Sequence, residues 1–523
     1  MGRHILSEIL NRSAADYADM PAVRWLVKKN TVERSYTELD AARRRIWHAL
    51  CARGFLDKHV ALIGTSSYPW ISSYLALVSG RSVAVPLDAA LPAEDLCDLL
   101  NRSDSEVLFL APRQKELLPV IAEAVPKLRL VIMLDEEASD GSRQEGHAEV
   151  ITWGDLWAEG EDAPISEDET PGEDDVCTFI FTSGTTGKSK GVMLTQRNLY
   201  DNITSVVITV EPGMTMLSVL PIHHAYCLVM DWMMGFSKGA TLCINDSLLH
   251  MVRNIGKFQP EVMLMVPLMI ETIYKRLAAA GDTAPKKDIG RSVFGPNLKS
   301  IYSGGAHLDP FYIEAMAEYG VEICEGYGMS ECSPVISTNG EAGNRPGSVG
   351  LPLSNAEVRI ENGEVQVRGT SVMKGYYQMP AETEEALKDG WLHTGDLGHL
   401  DEDGYLYITG RLKNLIILSN GENISPEEIE TTLAIEPLIG EIVITGEDNG
   451  LCARIFPDPE YLEANPMSEE EVKNALQAVL DDYNKKQPTY KALVSLVVRK
   501  YPFLKSSTKK IKRPLAAVDE PEE

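Results

Sequence analysis

A chain of 523 residues exceeds one comfortable hydrophobic core, so two or more domains are expected. Its 44% hydrophobic and 24% charged residues are those of a globular protein, and no apolar run reaches the ~18 residues that cross a bilayer. A net charge of −28 excludes the basic surface on which nucleic-acid binding depends, so no nucleic-acid partner is expected.

In chain order, the opening "MGRHILSEIL" has no hydrophobic signal core, and Leu6 stands where a myristoylation signal needs Ser or Thr. The eight cysteines are scattered without a CxxC pair, which fits free thiols in a reducing compartment, and a cytoplasmic protein is expected. Up to about residue 170 a helical pattern, "YTELDAARRRIWHALCARG", is followed by short apolar strands, "HVALIG", "SVAVPL", "EVLFLA" and "LRLVIML", as in an α/β domain. The acidic segment "EGEDAPISEDETPGEDD" reads as a solvated loop leading into a buried strand, "VCTFIFT". The tract "FTSGTTGKSKG" follows, then a helix capped by Thr195, so the tract reads as the middle of a strand–loop–helix unit. "AEVRIENGEVQVRG" and "LDEDGYLYITG" read as hairpins turning at Asn362-Gly363 and Asp403-Gly404. Beyond them "SPEEIE" predicts a helix with Ser425 as N-cap, Pro426 in its first turn and Glu428 closing a capping box. A domain boundary is expected near 410–414, giving an N-terminal domain over 1–410 and a C-terminal domain over 411–523.

The hydroxyl-rich tract fails as a Walker A loop, because Gly184 and Gly187 enclose only two residues where that loop needs four. Its hydroxyls and backbone N–H groups can still donate to anionic oxygens, with Lys188 and Lys190 adding positive charge. Further along, "YSGGAHL" places two glycines after a strand, where a flat ring could lie against bare backbone. In "EGYGMSECSP", Tyr327 can stack on a base, Ser330 can meet a phosphate and Glu331 can hold magnesium through oxygen. In "GWLHTGDLG", Asp396 sits in a Gly-flanked loop and could accept the hydroxyls of a ribose. Each signal also has a plain reading as a turn.

Their order along the chain carries more. Hydroxyl loop, "SGGA", "GYGMSE", "HTGD", "GRLKNLIILSNGENISPEEIE" and "KSSTKKIKR" together resemble the adenylate-forming superfamily, which groups acyl-CoA synthetases, peptide-synthetase adenylation domains and luciferases. Within it, "LPIHHAYCLVMDW" and "STKKIKR" look most like long-chain fatty acyl-CoA synthetases. The resemblance implies an α/β fold with a large N-terminal domain of stacked α/β subdomains and a small mobile α+β C-terminal domain. It implies activation of a carboxylic acid, with a fatty acid expected, by ATP to acyl-AMP, followed by transfer to the thiol of CoA, with magnesium present.

Carried over residue by residue, the loop of Thr182, Ser183, Gly184, Thr185 and Thr186, with Lys190, would hold the β- and γ-phosphates. Ser330 would contact the α-phosphate and Glu331 would ligate magnesium. Tyr327 would stack on adenine, with Gly304, Gly305, Ala306, Glu325, Gly326 and Gly328 around it. Asp396 would bind the ribose, assisted by Arg411. Lys510 would bridge the carboxylate and the α-phosphate, and Lys413 would be the hinge. His224, Tyr226 and Gly304 would bound the acyl pocket. The family pattern usually has Gly where Lys509 stands, so either Lys509 or Lys510 could serve; Ile417 stands where some members carry a Lys that assists thioester formation. The alternative is a stand-alone adenylating enzyme that loads a separate phosphopantetheine carrier protein with an acyl, aryl or amino acid; peripheral membrane contact remains open, and a catalytically silent scaffold is the competing class.

Overall fold

A computed structural model of the chain describes residues 2–139, 141–182, 189–281, 284–340, 343–418, 422–447, 450–505 and 511–517. The chain divides into two compact units. The larger comprises Met1–Ala306, Ile313–Val358 and Val367–His393; the smaller comprises His307–Tyr312, Arg359–Gln366 and Thr394–Glu523.

In the larger unit, helix α1 (Tyr36–Ala52) starts at Ser35, whose side chain and that of Glu38 form a capping box. The predicted strands β1 (His59–Ile63), β2 (Val83–Leu87), β3 (Val107–Leu110) and β4 (Leu130–Met133) all form and pair in parallel. They are short and almost wholly buried, as parallel strands covered on both faces must be. Strand β5 (Val176–Thr182) joins them beside β2.

The strand–loop–helix reading of the hydroxyl tract is corrected here. Residues after it form a second strand, β6 (Lys190–Thr195), antiparallel to β5 with Thr182 opposite Lys190. Val192 and Leu194 are fully buried in this sheet, and their burial outweighs early helix formation. Helix α2 (Gln196–Ser205) follows only then, capped by Thr195 as expected.

A second sheet contains β7 (Thr215–Ser218), β8 (Val262–Met265), β9 (Ser300–Ser303), β10 (Glu322–Gly328) and β11 (Val335–Thr338). Each of these two sheets has nine strands among the described residues. The short strand β12 (Gly375–Tyr376) closes one edge of the first sheet by pairing with β6.

Strands β13 (Trp391–Leu400) and β14 (Leu406–Arg411) belong to a further five-stranded sheet. The smaller unit holds helix α3 (Pro426–Ala434) and a three-stranded sheet of β15 (Ile439–Glu447), β16 (Gly450–Pro457) and β17 (Leu493–Val498). Its core gathers Ile429, Leu433, Ile444, Ile455 and Leu476. The capping box predicted at α3 is absent. Ser425 donates instead to the carboxylate of Glu427 (3.1 Å), while Glu428 pairs with Lys491 (2.9 Å). With proline at the first helical position, one orphan donor is already removed, so less is left for a cap to satisfy. All eight cysteines are free, and no helix of the described residues is long and apolar enough to cross a membrane.

Candidate active site

Strands β7, β8, β9 and β10 are parallel neighbours, with Met265 opposite Ser303 and Ser303 opposite Glu325. Ligands of open α/β sheets lie beyond the carboxyl ends of such strands. That edge gathers His224 and Tyr226 after β7, Gly304, Gly305 and Ala306 after β9, and Glu325, Gly326, Tyr327 and Gly328 at the end of β10. Tyr226 donates from its hydroxyl to the carbonyl of Tyr302 (2.9 Å). A Cβ at Gly304 would lie 3.0 Å from the Tyr226 ring, so the bare backbone here is what lets the ring approach. Gly328 is tighter still, since a Cβ there would stand 1.9 Å from the carbonyl oxygen of Pro334.

Between His224 and the apolar core, residues Tyr226–Met233 form a π-helix, a wide turn that recurs at functional sites. His223 packs against His224 with ring centroids 4.2 Å apart. Burial, and then that neighbour, push the His223 imidazole down to about 4, so it is neutral near pH 7.

One turn along the π-helix, Asp231 is fully buried and accepts from Ser218 (3.0 Å) and the Cys227 thiol (3.6 Å). Its Oδ1 has no hydrogen-bond partner among the described residues. Burial pushes its carboxyl up to about 7 from 3.8, so the folded protein holds a proton there that the unfolded chain releases. A raised acid contributes stability below its unfolded value, and that contribution is lost as the pH rises through the folded one. Asp231→Asn keeps the acceptor and removes the titration. Its Tm relative to the unsubstituted protein is expected to rise between about pH 4 and 7 and then level off. Thermal melts across that range check this; a difference independent of pH would contradict it.

Lys190 begins β6, and its ammonium lies 4.7 Å from the centroid of the Tyr376 ring. The Tyr376 hydroxyl donates to the Glu331 carboxylate (2.8 Å), and the backbone N–H of Met373 donates to the Glu331 carbonyl (2.8 Å). Ser330, half-buried, and Glu331 form one short 3-10 turn after β10. The sequence singles out Lys190, Ser330 and Glu331 as candidates, whereas Tyr376, which contacts two of them, is not among its candidates. The one signal for Tyr376 is the doublet in "MKGYYQMP", which gives no hint of the strand pairing that brings it to Lys190.

The residues fit a magnesium ion. Glu331 is a buried carboxylate whose described hydrogen-bond donor is Tyr376 alone, which leaves oxygen lone pairs for a hard cation. No cluster of three His, Cys, Asp or Glu side chains occurs among the described residues. Magnesium suits such a setting, since it keeps several waters and binds through one or two carboxylates plus nucleotide phosphates.

In the smaller unit, Asp396 lies within strand β13 rather than in a loop, which corrects the sequence reading. Thr394, two residues before it, is held by the Val365 carbonyl and accepts from the Asp396 N–H (3.0 Å), so the "HTGD" turn-formers are drawn into the sheet. Asp396 sits directly across from Arg411 on β14, with Arg411 Nε 2.8 Å from Asp396 Oδ1. Lys413 follows. Partial desolvation, then the Arg411 charge, lower its ammonium below the ordinary lysine value, against the opposing pull of Asp396 and Glu427.

Ser183, Gly184, Thr185, Thr186, Lys509 and Lys510 lie outside the described residues. On either side of the last two, Lys505 and Ile511 are β-bridge partners. Lys505 pairs with Glu441 (2.7 Å), and Arg513 pairs with Glu430.

Comparison with known proteins decides the family. The AMP-binding enzyme family matches residues 10–377, and the AMP-binding enzyme C-terminal domain matches residues 413–518. The chain belongs to the AMP-binding enzyme family. A feruloyl-CoA synthase of an Amycolatopsis species is 30% identical over 443 residues, covering 82% of this chain and 81% of that protein. An oxalate–CoA ligase of Arabidopsis thaliana is 30% identical over 487 residues, covering 88% and 87%. A long-chain-fatty-acid–CoA ligase of Mycobacterium tuberculosis is 29% identical over 452 residues, covering 77% and 74%. The fold is shared with a solved anthranilate CoA ligase in complex with anthranoyl-AMP (TM-score 0.82, 20% identity, covering 97% and 96%). It is shared too with the ATP-bound MatB of Rhodopseudomonas palustris (TM-score 0.80, 23% identity, 98% of each chain). This AMP-binding enzyme is an acid–thiol ligase of the adenylate-forming superfamily, with a large N-terminal and a smaller C-terminal domain.

Proposed function

We propose that the chain activates an acid with an apolar body, a fatty or aryl acid, and passes the acyl group to the thiol of CoA. In the first step a carboxylate oxygen bonds to the α-phosphorus of ATP while the bond to the bridging oxygen breaks, and pyrophosphate leaves with the electron pair. In the second a thiolate attacks the acyl carbon, the bond to the phosphate oxygen breaks, and AMP departs.

The observation that carries this reading is the shared strand edge at which Tyr226 and Gly304 adjoin Glu325–Gly328. An acyl site beside Tyr226 would then abut an adenine site around Tyr327. Beyond Tyr226 the π-helix supplies Leu228, Val229 and Met230, all buried, and Ala225 precedes it, so no charged side chain stands at the start of this segment to meet a substrate ammonium. Magnesium, when bound, neutralises phosphate charge. Glu331 would hold it, Lys190 and the hydroxyl loop would hold the outer phosphates, and Ser330 the inner one. Asp396 would accept from the ribose hydroxyls, with Arg411 fixing its rotamer. Lys510 would place a cation between the two reacting anions, and Lys413 would be the pivot that withdraws it before thiol attack.

A pyrophosphate-exchange panel of fatty, aryl and amino acids tests the substrate class, with CoA then compared against a phosphopantetheine-bearing carrier protein. Exchange is expected with fatty or aryl acids and thioester is expected on CoA. Exchange confined to amino acids, or transfer confined to the carrier protein, would overturn the reading.

A further inference from the structure

The side chain of Tyr376 lies between two groups of opposite charge that the function needs kept apart. Lys190 Nζ sits over its ring, 4.7 Å from the centroid, and its hydroxyl donates to Glu331 Oε1 at 2.8 Å. Lys190 and Glu331 form no ion pair among the described residues; each meets the tyrosine instead. The phenol is itself fixed from several directions. Its residue pairs with Val192 across β6 and β12, its backbone N–H donates to Thr383 Oγ1 (2.9 Å), and only 7% of its surface is exposed. Glu331 is equally buried and is tied to the same segment through the Met373 N–H.

We propose that Tyr376 is a positioning residue for the metal-bearing carboxylate: its hydroxyl occupies Oε1 of Glu331, and its ring holds the Lys190 ammonium away from that carboxylate. A phenol has one proton to give, and here it is committed to Oε1. The carboxylate plane is thereby set and Oε2 is left for a hard cation. A lysine beside a buried carboxylate would otherwise close onto it and cancel the charge needed for magnesium. The π-face offers the ammonium an alternative partner that is weaker than a carboxylate, so Lys190 can still leave it for a phosphate. Opposite charges are thus held on one tyrosine, one at its ring face for the nucleotide's phosphates and one at its hydroxyl for the metal.

The proposal rests on Glu331 being the metal carboxylate, and the test separates the two. Full-length protein, Tyr376→Phe and Glu331→Gln are each titrated with ATP by calorimetry, in EDTA and across a magnesium series, after their Tm values have been compared. Phenylalanine keeps the ring beneath Lys190 and removes the proton donor alone. Tyr376→Phe is expected to raise the magnesium concentration for half-maximal ATP binding by about ten-fold, with ATP affinity in EDTA unchanged within about two-fold. An unchanged magnesium requirement in Tyr376→Phe, with Glu331→Gln strongly affected, would overturn the positioning role while leaving the metal assignment standing. A parallel fall with and without magnesium would also overturn it, since a general packing defect does that. A magnesium requirement unmoved by Glu331→Gln would remove the metal assignment and this proposal together.

Discussion

Replacing Lys510 by Ala is expected to lower acid-dependent pyrophosphate exchange by about 10²–10³-fold, the usual cost of removing one preorganised charge-stabilising donor. In the proposed first step a carboxylate anion approaches a phosphate that is itself anionic, and an ammonium between them offsets the repulsion that grows as the bond forms. The same variant supplied with preformed acyl-AMP and CoA is expected to make thioester within a few-fold of the unsubstituted rate, because the second step does not need that cation. Lys509→Ala is the paired control and is expected to retain exchange. If Lys509→Ala abolishes exchange and Lys510→Ala does not, the assignment is wrong by one residue. If both variants lose the two half-reactions equally, the loss is one of folding.

Asp396→Ala should be the more damaging change to nucleotide binding. The carboxylate is 3% exposed, lies across the sheet from Arg411 and is held by it at 2.8 Å. A buried carboxylate with a fixed rotamer can accept from both ribose hydroxyls without reorganising. Hydrogen bonds to a charged group contribute about 1.5–3 kcal/mol each, so losing two is expected to lower AMP affinity by about 10²–10⁴-fold. Arg411 loses its partner but is half exposed and can be hydrated, so the Tm is expected to fall by only a few degrees. Calorimetric titration with AMP checks the affinity, and a change under about three-fold would remove Asp396 from the ribose site.

Where burial is local and periodic, the sequence was sufficient. The strands from His59 to Met133 and the helix from Tyr36 to Ala52 announce themselves as apolar runs between turn residues or as a capped amphipathic stretch. The errors fall where pairing between distant segments decides the backbone. "KGVMLT" reads as a lead-in to a helix until β5 lies beside it, and then Val192 and Leu194 become sheet core. Asp396 sits between turn-forming glycines on the page, yet its partner across the sheet is Arg411, so it is a strand residue. Ser425 has the spelling of a capping box, but its hydroxyl finds Glu427 two residues on rather than the backbone. Tyr376 shows the limit most clearly. Its contacts to Lys190 and Glu331 join residues 45 positions apart and farther, through an edge-strand pairing that no local pattern encodes. By contrast the order of Gly304, Tyr327, Glu331, Asp396 and Arg411 was legible because each sits in a compact motif whose spacing survives on one line.

The central claim is that an oxygen of the acid attacks the α-phosphorus of ATP, and isotope transfer tests it most directly. A fatty or aryl acid labelled with oxygen-18 in its carboxylate is incubated with the protein, ATP, magnesium and CoA, and the products are weighed by mass spectrometry. The account predicts one heavy oxygen in the AMP released with each thioester and none in pyrophosphate. Label appearing in inorganic phosphate alongside ADP, or thioester forming with unlabelled AMP, would contradict it.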